Sequence, residues 1–131
     1  MTTRTLLAVC SAIEGAVGLS LIVGPGMVAR ILLRTELFGG GMAVGRLAGA
    51  ALLALGLACW PSENHAAGQS TRALLIYNFL AAAYLAYLGL GEGFFSYLLW
   101  PVCVLHALLA LLLARPALAS FSAARVAERG K

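Results

Sequence analysis

Four stretches of this sequence, about residues 6–23, 42–60, 72–90 and 94–114, run for some 18–21 residues each with no more than one charged side chain apiece. At ~1.5 Å of rise per residue, a helix of that length matches the ~30 Å hydrocarbon layer of a bilayer. In hydrocarbon every backbone N–H and C=O has to be bonded within the chain, which leaves helices or closed barrels. The Leu/Ala runs lack the period-2 alternation of a barrel strand, so the pattern predicts helices. Composition closes the soluble alternative. Of 131 residues, 62% are hydrophobic and 11% charged, against roughly 25% charged in a soluble domain. A water-soluble fold this small has too little interior to hide that much apolar surface. The expected fold is all-α, a single integral membrane domain over residues 1–131 built as a four-helix bundle.

Glycine and proline punctuate the stretches. Gly24-Pro25-Gly26 ends the first span. Residues Met27–Phe38 carry Arg30 and Arg34 four apart among apolar side chains. That pattern predicts a short helix lying in the membrane interface, with an ordinary loop as the alternative. Gly39-Gly40-Gly41 is a break before span two, which stops at Pro61. Residues 61–71 (PSENHAAGQST) are polar and read as an aqueous loop. Gly91-Glu92-Gly93 joins spans three and four, and Arg115-Pro116 is the expected stop of span four. A basic tail, 115–131, follows. Arg4 before an apolar run resembles a signal peptide, but that run holds Glu14 and is followed by further spans, so it reads as a retained first span.

Nine Lys and Arg residues against five acidic ones give a formal charge of +4. They are spread along loops and tail with no dense cluster, which points to membrane topology and away from nucleic acid. Arg4, Arg72, Arg115, Arg125, Arg129 and Lys131 fall on one side of the four spans; Arg30, Arg34 and Arg46 fall on the other. The positive-inside rule then predicts both termini in the cytoplasm. Trp60 marks the cytoplasmic interface in this reading, and Phe94, Phe95 and Tyr97 the outer one. Cys10, Cys59 and Cys103 lie in apolar segments without CxxC spacing, so they read as small core residues, with no disulfide framework and no metal site.

Ionisable side chains inside a span are costly and are candidate sites by default. Glu14 and His106 fall near the predicted midplane, and Arg46 lies about five residues into span two. An ion pair between Glu14 and Arg46, with His106 nearby, is the expected arrangement, since an unpaired charge there is expensive. Three roles stay open for it: a lock on helix register, a proton relay or ligand site, or no pair at all, with Arg46 snorkelling outward and Glu14 alone. His65 lies in the loop, at another depth, so a bis-histidine haem within the chain is not expected. Tyr77, Ala81 and Tyr84 share a face of span three. Asn78 beside them needs hydrogen-bond partners, either as glue between helices or as a contact to a quinone or lipid. Gly41, Gly45 and Gly49 open span two, and Gly15 and Gly18 flank Glu14. Small residues at this spacing predict a close contact of spans one and two, or a homodimer seam. Pro101, five residues before His106, is expected to kink span four near Trp100. No phosphate loop, nucleophile elbow or H-E-x-x-H motif occurs, so no catalytic residue is assigned.

The layout resembles the DoxX-like group of small four-helix bacterial membrane proteins. The resembling elements are the Gly-rich first span ending in Gly24-Pro25, Gly45-Arg46-Leu47-Ala48-Gly49-Ala50 opening span two, Tyr77-Asn78, and Leu99-Trp100-Pro101. The resemblance covers about residues 6–114. It implies the fold more than an activity: some members are linked to quinone-coupled sulfur oxidation or redox-stress complexes, and no motif for that chemistry is present here. The function expected from the residues is a non-catalytic inner-membrane protein, an accessory or assembly subunit of a larger complex or a homo-oligomer. The alternatives are a proton-coupled or small-molecule transporter using Glu14, Arg46 and His106, and a membrane redox or lipid-modifying enzyme with a quinone or lipid near Tyr77, Asn78 and His106.

Overall fold

The computed structural model describes residues 2–62, 67–94 and 96–129, the last ten of these as backbone only. Five helices run through them: α1 (Thr3–Val23), α2 (Pro25–Leu33), α3 (Gly40–Ala58), α4 (Ala67–Leu90) and α5 (Leu99–Arg129). The protein is all-α, with no strand among the described residues. Four segments are long and apolar enough to cross a membrane: Thr3–Val23, Gly40–Ala58, Ala67–Leu90 and Leu99–Ala119. Their outward faces carry large apolar side chains such as Val9, Leu19, Val44, Leu47, Phe79 and Leu111. Water does not tolerate so broad an apolar surface, whereas lipid does.

Local chemistry sets the helix ends. The Thr2 hydroxyl caps α1 by accepting from Thr5 N–H at 3.2 Å. Gly24 N–H closes α1 on the Ser20 carbonyl at 2.9 Å, and Pro25 then opens α2 at its first position, where the missing N–H costs no bond. The interfacial helix is therefore shorter and earlier than Met27–Phe38. It stops at Leu33 because Arg34 turns left-handed (φ 53) with its N–H on the Arg30 carbonyl at 3.0 Å. Nine residues rise only ~13 Å, too little to span. Gly39, also at positive φ (47), turns the chain into α3.

Three expected boundaries are corrected. Residues 67–71 are the first turn of α4 and not loop. Pro101 sits third in α5, where N–H groups have no intrahelical partner, so it begins the helix and does not kink it. Pro116 does not stop α5. The helix gives up one bond there, at the Leu112 carbonyl, and continues because Ala117 on the far side is packed at 1% exposure. Glu63, His65, Phe95, Lys131 and the side chains of Arg125 and Arg129 lie outside the described residues.

The helices form two antiparallel pairs, α1 with α3 and α4 with α5, and α1 is the element of the first pair that meets both helices of the second. The first pair touches backbone to backbone. A Cβ on Gly18 would lie 2.5 Å from Leu53 N, one on Gly49 2.6 Å from Gly18 O, and one on Gly56 2.7 Å from Ser11 O. Gly15 faces Leu53 at an ordinary 3.9 Å. The predicted glycine seam is thus an α1–α3 contact, shifted toward Gly56. Gly45 packs on Pro25, and Gly41 only on Leu37 of its own connection. The buried core, Leu6, Leu7, Cys10, Cys59, Leu74, Leu109 and Leu113, closes the end of the molecule where α1 begins. All three cysteines are buried and free.

Gly49→Ala is expected to lower the midpoint of thermal unfolding in detergent, by about 1–3 kcal/mol of overpacking against a backbone that cannot yield. Gly40→Ala, whose Cβ meets nothing within 4 Å, is the matched control and should be neutral. Equal midpoints for the two variants would show that the seam is not close-packed.

Candidate functional site

Above the apolar core, the structure gathers four polar side chains in one layer. Asn78 of α4 is completely buried; its Nδ2 donates to the Leu74 carbonyl at 2.8 Å, and its Oδ1 meets His106 Nδ1 of α5 at 2.8 Å. The Tyr77 ring stands edge-on to the His106 ring, with centroids 5.8 Å apart. Tyr77 also faces the carboxyl of Glu14 on α1. Glu14 is at 0% exposure, and both of its carboxyl oxygens lack a hydrogen-bond partner. Ser11, one turn earlier on α1, is in the same condition at its Oγ.

These orphans stand out against their neighbours. Ser20 and Thr71 satisfy their hydroxyls on the carbonyls four residues back, Ala16 and Ala67, at 2.8 and 2.7 Å. That is the usual arrangement for a hydroxyl in a helix. Ser11 does not make this bond. A buried polar atom without a partner costs ~1–3 kcal/mol, and each instance in a folded protein calls for a reason. Sequence reading passed over Ser11; its place three residues before Glu14, on the same helical face, was the available signal.

Arg46 is not part of this layer. It is exposed on α3, and among the described residues the one ion pair is Arg30–Glu36, at 3.1 Å on the surface. The expected Glu14–Arg46 pair is not formed, and the glycine seam explains why. Gly56 packs between Ser11 and Gly15, and Gly18 packs between Gly49 and Leu53. In that register Glu14 stands level with Leu55, so Arg46 lies ~13 Å further along the axis. Arg46 is instead level with the end of α1, where a long side chain reaches the interface.

On the far side of the polar layer from the core, a cavity of about 540 Å³ opens between the two helix pairs. Its walls are Val17 and Leu21 of α1, Leu52 of α3, Tyr77, Ala81 and Tyr84 of α4, and His106 of α5, and α2 lies across its end with Val28 and Leu32. The shared face of Tyr77, Ala81 and Tyr84 thus becomes one wall of the cavity. The Ser96 hydroxyl ties α2 down by donating to the Ile31 carbonyl at 2.8 Å. Ligand pockets run to roughly 300–1,000 Å³, mostly apolar with a few convergent polar groups; this cavity has that make-up. Among the described residues, no group of three His, Cys, Asp or Glu side chains could hold a metal ion.

Comparison with protein-family models, with curated proteins and with solved structures finds no match to the chain.

Two stability measurements test this geometry. A double-mutant cycle of Asn78→Ala and His106→Ala should return a coupling of about 0.5–1.5 kcal/mol, while the cycle of Glu14→Gln with Arg46→Gln returns none. In ligand-free detergent, Glu14→Met should be more stable than the parent by ~1–3 kcal/mol, since it removes an unpartnered carboxyl and keeps its volume. A destabilised Glu14→Met would mean the carboxyl is bonded after all.

Proposed function

We propose that this protein is a small, non-catalytic, multi-pass protein of the bacterial inner membrane that holds a lipid-soluble amphipath, a lipid or quinone-like molecule, between its two helix pairs. The observation that carries the reading is the apolar cavity of about 540 Å³ with Tyr77 and His106 at its inner end. Apolar walls suit a hydrocarbon tail, and a localised polar end suits a head group. The excess of Arg and Lys on the side of both termini supports a cytoplasmic placement of those termini. The DoxX-like resemblance agrees with the four-span layout and lends no activity.

A second reading, as a subunit of a larger membrane complex or of a homo-oligomer, draws support from α3. That helix packs on α1 and α2 and leaves Val44, Leu47 and Leu57 outward. Proton-coupled transport is the weaker alternative. Arg46 stands apart from the polar layer, and apolar packing lies on one side of it and an apolar cavity on the other.

Native mass spectrometry after gentle extraction tests the main reading. The wild-type protein should retain a bound amphipath, and Ala81→Trp, which fills the cavity, should reduce its occupancy at least tenfold at unchanged helicity. A wild-type protein without bound amphipath, or a variant carrying the same complement, would count against it.

A further inference from the structure

The Asn78 amide fixes the chemistry of the imidazole beside it. Because Nδ2 donates to the Leu74 carbonyl, the atom that meets His106 Nδ1 is the amide oxygen. An amide oxygen only accepts, so Nδ1 carries the proton. In the neutral ring the other nitrogen, Nε2, is then bare and can only accept. His106 lines the cavity, and Nε2 has no hydrogen bond to a described residue. The unpartnered oxygens of Glu14 and Ser11 belong to residues that do not line the cavity. The inner end of the cavity therefore presents one unused acceptor, His106 Nε2.

We infer that the cavity selects an amphipath whose head is a hydrogen-bond donor, a hydroxyl or an amine, received by His106 Nε2. A head that only accepts, such as an ether, an ester or an oxidised quinone, leaves Nε2 unpaired. This inference rests on the proposed function and adds the class of ligand to it. Asn78 is a positioning residue here, because it acts by holding the tautomer of His106. Leaving a buried acceptor unmet costs about one to two factors of ten in affinity.

The test uses three probes of one shape, 4-octylphenol, 4-octylaniline and 4-octylanisole, titrated into the full chain in nanodiscs against empty nanodiscs. The phenol and the aniline should bind at least tenfold tighter than the anisole, and Asn78→Leu should bring the phenol-to-anisole ratio toward one. Anisole binding as tight as phenol overturns the donor requirement and leaves the cavity reading standing. Failure of all three to bind above empty nanodiscs overturns the cavity reading as well. Should Asn78→Leu not fold, ¹⁵N resonances of the imidazole in a His65→Gln background read the tautomer directly. A protonated Nδ1 with a bare Nε2 is expected, and an Nε2–H form overturns the inference.

Discussion

The close approach of α1 to α3 sets the geometry on which the rest depends. At Gly18 and Gly49 the backbones come so near that even a methyl group would strike main-chain atoms at 2.5–2.6 Å. In hydrocarbon, helices gain nothing from hiding apolar surface from each other, since lipid is as apolar as leucine; close packing is what holds them. The seam therefore fixes both the register and the rotation of α1. With the Ser11 carbonyl, Gly15 and Gly18 turned to α3, the face bearing Leu7, Cys10 and Glu14 turns to the second pair. The position of Glu14 is a by-product of where the glycines are.

The second pair receives that face with matched layers. Leu74, Leu109 and Leu113 meet Leu6, Leu7 and Cys10 at one level, and Tyr77 meets Glu14 at the next. Beyond it the pairs diverge, because α1 ends at Val23 and α2 folds across the opening, held by Pro25 on Gly45 and by Ser96 on Ile31. The cavity follows from this divergence. Two tightly packed pairs joined mainly through α1 leave a wedge that neither pair can fill from its own side chains.

The helices were legible in the sequence because a run of ~20 apolar residues has few other solutions in lipid. The glycine seam and the gathering of Tyr77, Asn78 and His106 were legible for similar reasons, each resting on small or polar residues whose only useful place is an interface. The errors share one cause. Proline was read by its local cost, yet Pro101 is harmless in a first turn and Pro116 is outweighed by packing at Ala117. Arg46 was placed beside Glu14 by depth and by the expected glycine contact, although depth along a helix depends on the register of that contact, which Gly18 and Gly49 set. Ser11 was passed over because a serine in a span ordinarily bonds its own helix, as Ser20 does. What sets Ser11 apart is its place three residues before Glu14 on one helical face.

What remains unsatisfied is then informative. The fold pairs the buried polar atoms of Thr71 and Asn78 and leaves those of Glu14 and Ser11 unpaired. A core selected for stability alone has no use for a lone carboxyl in hydrocarbon; leucine or methionine fills the same volume at lower cost. Intramembrane carboxyls face the bundle interior and mark sites by the same logic. Here the carboxyl lies next to Tyr77, which also lines the cavity beside His106, and the arginine best placed in sequence to neutralise it is held some two and a half turns away by the glycine seam. The seam thus does two things at once: it packs α1 on α3, and it keeps the one cation of span two from satisfying the acid.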